Sequence, residues 1–195
     1  MSEQQNLEAF AALLKKWNAA QNLVSRETLN ELWPRHIADS LQLLPLLRPS
    51  DRNVIDLGSG GGFPAIPLAI ASLGSERRFT LVEPIAKKAA FLRTAARELQ
   101  LPLAVHGMRS DEVDSRETFD VVTSRALAAL PKLLGLAQRF LGPSSRALLH
   151  KGREYRHEIR EAAQLFDFDV LVHPSRTEAE AAILEISNLR AKSAR

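Results

Sequence analysis

Three observations predict an α/β fold: a mostly parallel seven-stranded sheet, helices on both faces, and a helical cap ahead of it. From Asn53 onward, short apolar segments of strand character alternate with segments of helical periodicity. The first strand segment, Val54–Leu57, runs straight into Gly58, Gly60, Gly61 and Gly62, and an apolar helical run follows from Ile66. Strand, glycine loop and helix in that order open a nucleotide-type binding site. The last two strand segments have no clear helix between them, so they are expected to pair antiparallel.

The cap comes first in the chain. Leu7, Phe10, Leu13, Leu14 and Trp17 recur at helical spacing with Glu8, Lys15 and Lys16 between them, which makes 7–17 an amphipathic helix. Asn22 to Ser25 read as a turn with Asn and Ser as caps. Segments 28–33 and 36–47 read as short helices, separated by Pro34 and ended by Pro49. Residues 1–50 are therefore assigned to the cap and 51–195 to one compact unit. Strands are expected at Val54–Leu57, Phe79–Val82, Leu103–His106, Phe119–Ser124, Ala147–Lys151, Phe168–His173 and Ala182–Ile186. Helices are expected at Pro64–Ser72, Ile85–Leu99, Leu127–Phe140 and Tyr155–Leu165. In the second of these, Ala89, Leu92, Ala96 and Leu99 form the apolar stripe, and Lys87, Lys88, Arg93 and Arg97 fall on the solvated face. The basic tail from Asn188 to Arg195 is expected to fray.

Composition limits the function classes. A chain of 195 residues with 45% hydrophobic content builds one domain with a proper core. It contains no cysteine, which excludes disulfides, thiolate zinc sites, iron–sulfur clusters and cysteine nucleophiles. Radical methyl transfer and cytosine C5 methylation through a cysteine adduct are excluded with them. No metal-ligand set is assigned. The start, Met1 to Leu7, is polar and lacks a signal core, and no apolar run reaches the ~20 residues of a membrane span. A soluble, cytoplasmic protein is expected. The net charge of +3 permits a nucleic-acid partner without demanding one.

The loop itself narrows the ligand. A P-loop needs Lys followed by Ser or Thr after its last glycine, where this chain has Phe63-Pro64. The dinucleotide fingerprint, counted from Gly58 and Gly60, meets Phe63 at its third glycine. No Lys or Arg stands between Asp56 and Ile70 to meet a phosphate. Asp56 is read as an anion at the mouth of the site, suited to a ligand with a cationic end and no phosphate. S-adenosylmethionine, with its ammonium, sulfonium and adenosine, has that character. A seven-stranded Rossmann-like sheet ending in an antiparallel pair is also the plan of class I S-adenosylmethionine-dependent methyltransferases.

Ligands of open α/β sheets lie at the carboxyl ends of the strands, so the residues there are the site candidates. Gly58 and Gly60 follow the first strand. Glu83 ends the second, at a reasonable distance from Gly58 for a carboxylate that accepts both ribose hydroxyls; its alternative is a surface acid in the turn before Pro84. Ser110 and Asp111 follow the third, where a carboxylate reads the adenine edge or caps a helix, two roles that can coexist. Arg125 ends the fourth. It can clamp the methionine carboxylate, touch the adenine side or grip an RNA phosphate. Its structural alternative is an ion pair with Asp56 or Asp111. His150-Lys151-Gly152-Arg153, followed by Arg156, ends the fifth. With Arg109 and Arg125 this cluster forms a rim for phosphates, or plain solvated charge. Composition gives no role to His36 or Asn22.

From Leu13 to Gly152 the chain resembles the ribosomal RNA small subunit methyltransferase G family, also called glucose-inhibited division protein B. Five motifs carry the resemblance in order. They are Trp17-Asn18 with Asn22-Leu23; Arg35-His36-Ile37 with Asp39-Ser40; Asp56-Leu57-Gly58-Ser59-Gly60 with Gly62-Phe63-Pro64 and Ile66-Pro67; Ser124-Arg125-Ala126; and Lys151-Gly152. The resemblance implies a class I sheet with an amino-terminal helical cap, S-adenosylmethionine as cofactor, and methylation of guanine N7 in 16S rRNA near the decoding site. It implies cofactor contacts at Gly58, Phe63, Ser110, Asp111 and Arg125, and RNA-side positions at Arg109 and Lys151. Ala65 stands where the family usually has Gly, and Pro84 where many members have Ser; neither removes a group the chemistry needs. The partner is then 16S rRNA or the small ribosomal subunit, and a monomer is expected.

Guanine N7 carries a lone pair free at neutral pH, so no general base and no single catalytic residue is assigned. Orientation carries the chemistry and can supply roughly 7–11 kcal/mol of a barrier in favourable cases. Three other readings compete: a methyltransferase of small-molecule or protein acceptors, a non-catalytic RNA-binding protein on the same fold, and, against the broken fingerprint, an NAD-binding dehydrogenase.

Overall fold

The computed structural model describes residues 2–114 and 116–192. Helix α1 (Glu3–Gln21) starts on a capping box, in which Ser2 Oγ accepts the Gln5 N–H and the Gln5 side chain accepts the Ser2 N–H. It ends at Asn22, which turns left-handed at φ 48 and returns its N–H to Asn18 O. Ser25 Oγ then caps α2 (Arg26–Leu29), as the Asn/Ser turn predicts. From Trp33 to Ala38 the chain winds as a π-helix, runs on as α3 (Asp39–Leu41), and closes with a 3-10 turn at Leu44–Leu46. Pro34 does not separate two helices as expected. It sits in the first turn of the π-helix, where an N–H is not required.

The sheet has seven strands: β1 (Asn53–Leu57), β2 (Arg78–Val82), β3 (Leu103–His106), β4 (Phe119–Arg125), β5 (Leu141–Lys151), β6 (Phe166–Pro174) and β7 (Ala182–Ala191). Their order is β3-β2-β1-β4-β5-β7-β6, and only β7 runs against its neighbours. Helices α4 (Ala65–Ala71), α5 (Ala86–Glu98), α6 (Leu130–Ala137) and α7 (Tyr155–Leu165) link the strands. The expected α/β architecture with a closing antiparallel pair is therefore present.

Alternation along the strands divides the core into two layers. Val54, Phe79, Val121, Leu148 and Ile183 join the layer under α1, α4 and α5. Ile55, Leu57, Val122, Leu149 and Leu184 join the layer under α6 and α7. Leu7, Phe10 and Leu14 of α1 belong to the first layer, so the cap shares the core of the sheet. Phe10 packs on Phe63 and Phe91, with ring centroids 5.4 and 6.4 Å away.

Two boundaries differ from expectation. Strand β5 begins at Leu141, ahead of Ala147, and α6 begins only at Leu130 after a loop in which Ala126 takes φ 54. The tail does not fray at Asn188: Arg190 and Ala191 pair with Asp167 and Phe166, which holds β7 in the sheet to Ala191. Residues 193–195 of that expectation lie outside the described residues. Among the described residues, no helix is long and apolar enough to cross a membrane.

Candidate active site

β1 and β4 are neighbours although β2 and β3 lie between them in the chain, so the sheet changes direction there. A crevice opens at the carboxyl ends of strands at such a point. Gly58 and Ser59 both donate their N–H groups to Val82 O, at 2.9 and 3.1 Å. Gly60 N–H donates to Glu83 Oε2 at 2.8 Å. These bonds tie the glycine loop to the end of β2. Gly58 sits at φ +70, and a Cβ there would lie 2.6 Å from Leu127 Cδ1. Only a residue without a side chain lets Leu127 close against the backbone in this way.

Glu83 is buried beside the loop, with Oε1 accepting the Ile85 N–H at 2.9 Å. Each of its oxygens has one backbone donor and one lone pair left over. Ser110 is nearly buried, while Asp111 lies outside, held by Arg109 at 3.0 and 3.2 Å. No helix starts at either residue, so the capping role foreseen for them is absent. The Arg109 guanidinium holds the Asp111 carboxyl below the usual carboxylate range.

Asp56 is not the anion at the mouth of the site that the sequence suggested. It is 1% exposed, within the sheet. Its Oδ1 accepts the Thr123 hydroxyl at 2.8 Å, and its Oδ2 has no partner. Asp56 precedes the last residue of β1, so it still faces β4, whose Thr123 stands opposite it. Burial pushes its carboxyl up to about 7, against the opposing pull of the nearby Ser59 and Thr123 hydroxyls. An unfolded Asp releases its proton near pH ~4, the folded one near 7. Between these values the folded state binds more protons, so stability falls as pH rises and levels off above 7. Asp56→Asn is expected to lack this loss. Its melting temperature should gain on the parent's from about pH 5 to about pH 8, and a constant difference across that range would refute the shifted carboxyl.

The cap supplies a second set of groups, which the sequence did not assign. His36 leaves the π-helix and stacks on Phe63, with ring centroids 4.9 Å apart and planes 28° apart. Arg125 lies over the same Phe63 ring, 5.0 Å from its centroid, and donates from NH2 to His36 Nδ1 at 2.6 Å. Its NH1 donates to Arg35 O at 3.1 Å and to Asp39 Oδ2 at 3.3 Å. The foreseen ion-pair partners, Asp56 and Asp111, are thus replaced by Asp39. His150 Nε2 is 3.0 Å from Asp39 O. Asp39 Oδ1 accepts from Gln42 Nε2 and from Thr177 Oγ1, both at 2.7 Å, which draws in the β6–β7 loop. One residue, Asp39, therefore ties the cap to the ends of β4 and β5 and to that loop, through its carboxylate and its backbone carbonyl. Burial, and next the Arg125 cation, push His36 down to about 4. The signal for this set was present as Arg35-His36-Ile37 with Asp39, but spacing alone does not reveal a π-turn or its partners.

A cleft of about 720 Å³ lies between these groups. Gly58, Gly60 and Phe63 line one side, His36 and Asp39 another, and Thr177 a third. The expected basic rim is divided: Arg109, Arg153 and Arg156 are exposed, while Arg125, His150 and Lys151 turn inward. The Lys151 side chain is 8% exposed and pairs with Glu158 at 2.5 Å while donating to Ala128 O at 3.0 Å. The His150 side chain is 9% exposed, and Arg156 lies on the Tyr155 ring at 5.1 Å. Arg153 is exposed and, among the described residues, has no ion-pair partner. Lys151 is therefore corrected from a free phosphate contact to a group committed to Glu158.

The residues fit S-adenosylmethionine. Gly60, where a Cβ would meet nothing nearer than Gly58 O at 3.8 Å, leaves room for close approach, and Glu83 offers free lone pairs to hydroxyl donors beside it. Known proteins share this sequence and this fold. A family model described as rRNA small subunit methyltransferase G matches residues 3–186. The ribosomal RNA small subunit methyltransferase G of Brucella ovis is 48% identical over 190 residues, which cover 95% of this chain and 88% of that protein. The fold is similar to that of the glycopeptide N-methyltransferase MtfA in complex with S-adenosylmethionine, with TM-score 0.64 and 13% identity, covering 78% of this chain and 93% of that one. It is also similar to an O-methyltransferase from Bacillus cereus, with TM-score 0.63 and 17% identity, covering 92% and 91%. By its sequence across nearly all its length, and by the sheet and glycine loop that the sequence builds, this chain belongs to the ribosomal RNA small subunit methyltransferase G family.

Proposed function

We propose that the protein transfers a methyl group from S-adenosylmethionine to N7 of a guanine in 16S rRNA near the decoding site, acting as a monomer in the cytoplasm. The observation that carries this reading is the glycine loop bound to Glu83 at the switch point of the sheet, open to a cleft walled by the cap. Gly58, Gly60, Phe63, Glu83, Ser110, Asp111 and Arg125 are the residues assigned to hold the cofactor. S-adenosylmethionine, when bound, supplies the methyl group as an electrophilic sulfonium substituent.

Guanine N7 attacks through a lone pair that is free at neutral pH, so no proton has to leave first. Of the groups beside Phe63, neither His36 nor Asp39 is left free as a general base, which suits this acceptor. His36 Nδ1 is taken by Arg125, and the Asp39 oxygens are taken by Arg125, Gln42 and Thr177. The side chains therefore act by orienting the base, and by excluding water from it. Arg153 is the open cation on the RNA side. Arg109 is exposed and its pair with Asp111 exchanges readily for a phosphate, since exposed ion pairs contribute little. The outer edge of the sheet, β6, carries Asp167 and Asp169, charges that discourage pairing with a second copy and support the monomer.

The test is methyl transfer from labelled cofactor to unmodified small subunits and to naked 16S rRNA, with nucleosides identified by mass spectrometry. New 7-methylguanosine is expected. No methylated nucleoside, from protein shown to bind the cofactor, would shift the acceptor to a small molecule or a protein. In the same assay Arg125→Ala should lower transfer by at least about tenfold, because it removes the cation joining Phe63, His36 and Asp39. Normal turnover would leave Arg125 a purely architectural role.

A further inference from the structure

The protonation of His36 follows from its partner. A guanidinium only donates, so His36 Nδ1, which faces Arg125 NH2, must accept. The ring is neutral near pH 7, because burial and Arg125 hold its pKa low. Its one proton therefore sits on Nε2. That nitrogen is buried and has no hydrogen-bond partner. His36 as a whole is 8% exposed and lines the cleft beside Phe63. A dry donor without an acceptor is rare in a folded protein and is tolerated where a ligand completes it.

The Hoogsteen edge of guanine presents two acceptors, N7 and O6. N7 is the methyl acceptor under the function proposed above, on which this inference rests. O6 is then the acceptor left on the same edge. We infer that His36 Nε2–H donates to O6 of the target guanine, fixing N7 toward the cofactor and making His36 the residue that selects guanine over adenine.

Adenine carries an amino group at this position and would set a donor against a donor. The neutral state of His36 suits the reaction. Methylation at N7 places positive charge on the purine, and a neutral donor at O6 opposes that charge less than an imidazolium would. The stack on Phe63 and the bond from Arg125 fix the ring, and the π-turn carries it to the cleft. π-Helical turns often occur at functional sites.

The experiment pairs two substitutions with one atom change in the substrate. His36→Gln keeps an N–H donor near the Nε2 position. His36→Asn keeps an acceptor near Nδ1 for Arg125 but loses the distal donor. Each is assayed on small subunits reconstituted with guanine or with 2-aminopurine at the target nucleotide; 2-aminopurine retains N7 and lacks O6. Wild-type protein and His36→Gln are expected to favour guanine by about tenfold or more. His36→Asn is expected to transfer about tenfold less to guanine and to lose most of that preference. Losses by His36→Asn that are equal on both substrates would overturn the inference, since a structural role of His36 is blind to O6. A His36→Gln protein that folds yet loses the preference would also overturn it. No methylation of either substrate by wild-type protein would overturn the N7 reading itself, and this inference with it.

Discussion

Gly58→Val is expected to lower S-adenosylmethionine affinity by about a hundredfold or more, a loss of ~3 kcal/mol, while the sheet still forms. Gly58 holds φ +70, a region where a β-branched residue is an outlier costing about 1–3 kcal/mol. Its new Cβ would also meet Leu127 Cδ1 at 2.6 Å. Leu127 is exposed and its end can swing away, so the clash is the smaller effect. The backbone angle has no such escape. The loop must move, and with it the bonds from Gly58 and Ser59 to Val82 O and from Gly60 to Glu83. Those bonds place the cofactor cradle, whereas the apolar clusters that hold the sheet lie elsewhere. Calorimetric titration together with thermal unfolding separates the two effects. Melting should drop by only several degrees, at ~2–4 °C per kcal/mol for a chain of this size. Unchanged affinity would remove Gly58 from the cofactor site. Gly58→Ala, with the same strained angle and less bulk, should fall between parent and Val.

The strands were legible because alternation and β-branched residues report directly on a pleated, half-buried surface. Val54, Ile55, Val121 and Val122 end up on alternate faces of the sheet as their order demands. The glycine loop was legible because positive φ and close approach leave a residue-level mark. Orientation was less so. Asp56 and Glu83 are both acids at strand ends. One points sideways into Thr123 within the sheet and the other upward to the loop amides. A shift of one residue along a strand reverses the facing of a side chain, and spacing does not fix this at a strand's last turn. The His36–Arg125–Asp39 set was illegible for another reason. Its members lie on a π-turn of the cap and at the end of β4, brought together only by tertiary packing. Lys151 was read as a free cation because its partner Glu158 stands on the following helix, facing back toward the strand.

The same limit hid a buried structural ion pair. Arg146→Ala is expected to destabilise the protein by about 3–5 kcal/mol, lowering the melting temperature on the order of 10 °C. Arg146 is 1% exposed on β5, just before the segment that read as strand. Its guanidinium grips Asp51 with two bonds of 3.0 and 2.9 Å and donates to Leu46 O at 2.6 Å. Its Nε also lies 3.0 Å from Glu185 Oε1 on β7, close enough for an ion pair although the N–H is turned off the hydrogen-bond line. Truncation leaves the buried Asp51 carboxylate without its cation, and that unpaired charge dominates the loss. Arg146→Lys should recover little, since an ammonium cannot make the forked grip. Arg146→Met combined with Asp51→Leu should recover much more, because it removes both charges of the forked pair and leaves Glu185 to Arg48 and His173. Thermal unfolding of the three variants checks the order, and a drop below about 3 °C for Arg146→Ala would show a solvated pair instead. The consequence reaches the cleft. Asp51 and Leu46 close the cap that carries His36 and Asp39, so a loosened Arg146 joint should lower methyl transfer even where the sheet and the glycine loop are intact.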